Sequence, residues 1–133
     1  MIFSTPNSNA DGSEHPIRFL KSLYSSDATV NLLKNDVSYI NLEKKEFEFT
    51  TDDSHINPDL GLYPREALPL AIKHIESQWT PSEISHLFKD LTSVRFIRCG
   101  KTAVVFNLKN NQRYVVIFDN AQLIQNFFEG DAA

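Results

Sequence analysis

A single cysteine, Cys99, is all that the 133-residue chain offers for redox chemistry, so no intramolecular disulfide can form. With no disulfide framework to accommodate, the sequence points to a reducing, cytoplasmic setting. Glycine is scarce at four residues, and none falls into G-x-G-x-x-G or G-x-x-x-x-G-K-[ST], the loops that let backbone amides cradle phosphate. H-E-x-x-H, paired C-x-x-C and G-x-S-x-G are missing too, which removes the commonest signatures of zinc, redox and α/β-hydrolase sites. No apolar run approaches the length of a membrane span, and Met1–Asn7 has neither a basic leader nor a long apolar stretch. The formal net charge of −4 argues against a generic nucleic-acid binder. The expectation is a protein without cofactor, metal or catalytic residue, and without a membrane partner.

What is present is enough to build a core. Hydrophobic residues make up 41% of the chain, and ten Phe, four Tyr and one Trp supply bulk that needs no covalent staple. Residues 1–13 read as a flexible N-terminal arm and 14–130 as a single globular domain. Ser13 is placed to cap a helix carrying Ile17, Leu20, Leu23 and Tyr24. Tyr39–Leu42 and Phe47–Phe49 flank Glu43–Glu46, a pattern of two strands and a turn, with Phe47 and Phe49 on one face and Glu46 and Glu48 on the other. Thr29–Leu33 fits a third strand or a helical extension.

After a loop over 52–66, Leu68, Ala71, Ile72, Ile75 and Trp79 form a helical stripe. Pro69 suggests a start near Leu68, because proline is tolerated in a first turn. Thr80-Pro81-Ser82-Glu83 is a capping box followed by the stripe Ile84, Leu87, Phe88, Leu91. Val94–Arg98, Ala103–Leu108 and Tyr114–Phe118 are β-branched and aromatic and read as an antiparallel meander, joined by turns at Cys99–Lys101 and Lys109–Gln112. Tyr114–Phe118 is apolar on both faces, which places it centrally and covered on both sides. Asp119 or Asn120 then caps a last helix with Leu123, Ile124, Phe127 and Phe128 on one side. The fold class is α+β: a mainly antiparallel sheet, from a hairpin or meander plus a C-terminal three-strand meander, packed with about four helices in the order α-ββ(β)-α-α-βββ-α.

The candidate chemical groups are scattered. His74 and His86 lie twelve residues apart and read as helix-surface histidines. Asp52-Asp53-Ser54-His55 reads as a polar turn, and Cys99, with no histidine near in sequence, as an incidental thiol. Charge is segregated instead. Glu43–Asp59 holds six acids against Lys44 and Lys45, whereas Leu91–Phe118 holds Arg95, Arg98, Lys101, Lys109 and Arg113 with no acid. Such segments often meet as solvated faces of one fold. As a functional surface, the acidic segment suits a basic protein partner. The first expectation is therefore a small acidic inhibitor of the immunity or antitoxin type. It would neutralise a bacterial nuclease toxin through Glu46, Glu48, Asp52, Asp53 and Asp59. An adaptor subunit using its last helix ranks second. Third is an RNA-binding or RNA-cleaving domain that holds phosphate with Arg95, Arg98, Lys101 and Arg113 and uses His55 as its base. Contact with nucleic acid is not expected under the first reading.

Overall fold

The structure, a computed structural model, describes residues 15–25, 37–49 and 61–130. These form α1 (Pro16–Ser25), β1 (Val37–Asn41), β2 (Glu46–Phe49), α2 (Pro64–Gln78), α3 (Pro81–Leu87), β3 (Leu91–Arg98), β4 (Thr102–Leu108), β5 (Gln112–Asp119) and β6 (Gln122–Gly130). The strands make one six-stranded sheet in the order β2-β1-β3-β4-β5-β6, antiparallel throughout. The protein is thus an α+β domain, with three helices among the described residues. The N-terminal hairpin does not stand apart: β1 pairs with β3 through Tyr39↔Arg95 and Asn41↔Ser93 and so extends the C-terminal meander.

Alternation along the strands sends one set of side chains towards the helices. Val94 and Phe96, Val104 and Phe106, and Tyr114, Val116 and Phe118 are all buried, and they join Leu20, Leu23, Leu68, Ile72, Ile75 and Phe88 in one core. Each such aliphatic or aromatic side chain taken from water contributes about 1.5–3 kcal/mol. The opposite set, with Arg95 and Ile97 exposed and Ala103, Val105 and Ile117 half-buried, forms an outer face on which no described element packs. Tyr114–Phe118 accordingly has helices on one side only, and it lies one strand from the edge rather than at the centre. Val115 is nonetheless buried on the outer face, between its cross-strand neighbours Val105 and Phe127.

Local sequence explains the turns. The Asn41 side chain accepts from the amides of Glu43 and Lys44, both at 3.0 Å, and bends the chain between β1 and β2. Asn110 and Asn111 have φ of 67° and 62°, the left-handed conformation that asparagine tolerates, and turn the chain from β4 back into β5 in a register centred on Asn110. The Thr80 box forms as the sequence predicts: Thr80 Oγ1 accepts from the Glu83 amide at 3.2 Å, and the Thr80 amide donates to Glu83 Oε1 at 2.9 Å.

Several expectations are corrected. The last helix is the strand β6, because a two-residue turn, with Asn120 at φ 54°, returns the chain to pair with β5 from Asp119↔Gln122 to Gln112↔Gly130. α2 starts at Pro64 rather than near Leu68. The Glu66 carboxylate reaches back to accept from the Tyr63 amide at 3.1 Å, and Pro69 lies inside the helix, where the carbonyl that loses its donor belongs to exposed Arg65 and can be hydrated. α3 stops at Leu87, and Leu91 begins β3. α1 follows His15, whose carbonyl accepts from the Phe19 amide at 3.0 Å and whose Nδ1 accepts from the Ile17 amide at 3.2 Å. Ser13, expected as that cap, and Thr29–Leu33 lie outside the described residues.

Candidate functional site

The acidic candidates divide in two. Glu46 and Glu48 sit on β2, an edge strand of the sheet, while Asp52, Asp53 and Asp59, together with His55, lie outside the described residues. Strand alternation turns Phe47 towards the core and both glutamates to the outer face, where they are exposed. Register sets Glu46 opposite Asn41 and Glu48 opposite Tyr39, and these residues with Phe47 line a shallow dish of about 330 Å³. Beyond it the Arg95 guanidinium lies 4.7 Å from the centre of the Tyr39 ring. Neither glutamate forms an ion pair among the described residues.

Three of the five basic residues of the C-terminal segment have partners within the fold. Arg98 donates from Nε and Nη2 to the Gly61 carbonyl, both at 3.2 Å, and lies 4.2 Å from the centre of the Tyr63 ring. Arg113 pairs with Glu129 across β5 and β6. With Arg95 on Tyr39, three of the four residues considered for phosphate are held by the fold itself, and Lys101 is the exposed remainder. Acidic and basic segments do meet in part, since Glu48, Tyr39 and Arg95 occupy one cross-strand row of the outer face.

A second constellation was not legible beforehand. His74, expected as a helix-surface residue, is half-buried and reaches β5. The Tyr114 hydroxyl lies 2.9 Å from His74 Nε2 and accepts from Asn126 Nδ2 at 3.0 Å, and Asn126 Nδ2 also lies 2.9 Å from His74 Nε2. An unprotonated, accepting Nε2 suits an Asn126 amide nitrogen that can only donate. Burial lowers the His74 pKa below the ordinary histidine value. It also raises that of Tyr114, against a smaller opposing effect of the Asn126 hydrogen bond, so the phenol stays protonated. Trp79, Phe88, Phe106 and Phe128 surround the Tyr114 ring, with the Phe128 centroid at 4.7 Å. The signal available in the sequence was Tyr114 itself, a phenol in an otherwise apolar strand whose hydroxyl needs a partner once buried.

Chemically this cluster is a satisfied polar lock joining α2, β5 and β6. Its neutral imidazole gives a signed pH dependence. An unfolded histidine protonates near pH 6.5, whereas folded His74 takes its proton only at lower pH. The unfolded chain therefore binds more protons between those values, and the stability contributed by neutral His74 is present above about pH 6.5 and lost as pH falls through that window. The thermal midpoint of the wild type should drop by a few degrees more than that of His74→Gln between about pH 7.5 and 5, because glutamine can accept from Tyr114 without titrating. Parallel curves for the two proteins would show that His74 is not the group responsible.

Cys99 is exposed at the turn between β3 and β4. Among the described residues no group of three or more His, Cys, Asp or Glu is arranged to hold a metal ion, and no helix is long and apolar enough to cross a membrane. No protein-family model matches the chain, and neither a curated protein nor a solved structure matches it.

Proposed function

We propose that this α+β domain is a protein-binding inhibitor of the immunity or antitoxin kind, which meets a basic partner such as a nuclease toxin through its acidic edge. The observation that carries this reading is the placement of Glu46 and Glu48. Both are exposed on one face of an edge strand, beside Tyr39 and Asn41 and out of any ion pair among the described residues. Carboxylates unpaired among the described residues keep their field for an incoming cation, and an adjoining tyrosine offers a rigid amphipathic contact. The basic residues, by contrast, are largely engaged within the fold, which favours this reading over an RNA-directed one.

The test uses the protein that co-purifies with the immobilised full-length chain from its source cells. Glu46→Lys/Glu48→Lys should slow association with that protein by about tenfold at low salt, and the difference should shrink as salt is added. Both positions are exposed, so the fold should be kept. An association rate that the double reversal leaves unchanged would remove the acidic edge from the interface.

A further inference from the structure

The two edges of the sheet differ in a way that points to a second partner. β2 is short and carries two glutamates, a charge pattern that discourages pairing with another copy of itself. β6, at the other edge, runs for nine residues and has one charge, Glu129, which Arg113 already neutralises. Two of the four large hydrophobic side chains exposed in the described residues belong to it, Ile124 at 46% and Phe128 at 48%. A long, neutral, partly apolar edge leaves a row of backbone donors and acceptors for another strand.

We infer that β6 is a self-association edge, pairing antiparallel with β6 of a second copy across a two-fold axis at Asn126. The sequence of the strand is self-complementary in that register. Ile124 falls opposite Phe128 of the second copy, and Gln125 opposite its Phe127, while Asn126 faces itself. Phe128 and Asn126 pair with Tyr114 and Val116 of β5 and so share their face, and Ile124, the extra residue of the bulge, follows Leu123, which pairs with Phe118 of that same face. Each exposed apolar side chain of one copy thus covers its counterpart in the other, and no like charges are brought together. The extra residue of β6 in its ladder with β5 is Ile124 itself, and the strand runs regularly from Gln125 to Gly130. The result is one continuous sheet of two copies, with the acidic β2 edges at its two ends.

Sedimentation or light scattering of the full chain tests this without the partner of the acidic edge, so the two proposals fail separately. At about 100 µM the wild type should show twice the 15.2 kDa chain mass, and at about 1 µM a shift towards the monomer. Ile124→Lys should give the monomer mass at both concentrations with an unchanged circular dichroism spectrum. A monomeric wild type at the higher concentration overturns the proposal and leaves the edge for a strand of another protein. A dimer that survives in Ile124→Lys overturns it as well, by placing the interface elsewhere. If the variant does not fold, hydrogen exchange on the wild type decides. Protection of the amides over 124–128 that rises with concentration supports β6 pairing, and protection independent of concentration excludes it.

Discussion

Phe88→Ala should destabilise the domain by about 3–5 kcal/mol, the usual cost of emptying a buried phenylalanine site. Phe88 is fully buried just after α3, and its ring meets Trp79 at 5.8 Å, Tyr114 at 5.8 Å, Phe106 at 6.2 Å and Phe128 at 6.4 Å between centroids. Those four neighbours come from the end of α2 and from β4, β5 and β6. One truncation therefore loosens the helix layer and three strands together, and the surrounding rings are too constrained to collapse into the space. For a domain of this length the thermal midpoint should fall by about 10–15 °C. Phe128→Ala is the comparison. It belongs to the same cluster but is half-exposed, so its loss at low protein concentration should be about 1 kcal/mol. Equal losses at the two positions in urea titrations would mean that the cluster is not centred on Phe88.

The regions read correctly from the sequence are those where one period or one local motif had no competitor. Thr80-Pro81-Ser82-Glu83 fixes the start of α3 through contacts among its own residues, and Asn110-Asn111 encodes a tight turn whatever surrounds it. The misreading of β6 has a specific cause. Leu123 and Phe127, and Ile124 and Phe128, are four apart, a spacing that is near one helical turn and also a whole number of strand repeats. What chooses between them is the unsatisfied edge of β5, a long-range demand that no window along the chain contains. The start of α2 was misplaced for the opposite reason. Pro69 is a strong local signal, and it is outweighed by the Glu66 carboxylate on the Tyr63 amide and by the burial of Ala67 and Leu68.

The candidate surfaces follow the same division. Alternation alone puts Glu46 and Glu48 on the face opposite Phe47, so that part of the acidic edge could be read in advance. Its neighbours Tyr39 and Arg95 are 56 positions apart in the sequence, and only the β1–β3 pairing brings them together. The His74–Tyr114–Asn126 lock likewise depends on β6 being a strand, since a helix there would not carry Asn126 to Tyr114. The two sheet edges then have distinct physical characters. Glu46 and Glu48 disfavour pairing of β2 with a like copy, whereas β6 has only Glu129, paired with Arg113.

Gly61→Ala should cost about 2–4 kcal/mol, more than an exposed loop substitution ordinarily does. Two effects combine. Gly61 has φ of +124°, a conformation that side-chain-bearing residues rarely adopt, and a Cβ there would lie 2.4 Å from Thr102 Oγ1 and 3.2 Å from the Lys101 carbonyl carbon. Thr102 cannot easily give way, because it is fully buried and its hydroxyl donates to the Leu62 carbonyl at 3.2 Å. The Gly61 carbonyl also accepts both hydrogen bonds from Arg98, so a shift of the loop would release that guanidinium. Gly100→Ala separates the two effects. Its φ is +94°, but a Cβ at that position would meet nothing within 4 Å, so backbone strain alone should cost about 1–2 kcal/mol. A clear excess for Gly61→Ala over Gly100→Ala in denaturant midpoints would locate the close approach of the loop to the β3–β4 turn. Equal values would mean that Thr102 and the turn move aside at little cost, and that the Arg98 contact is not tightly held.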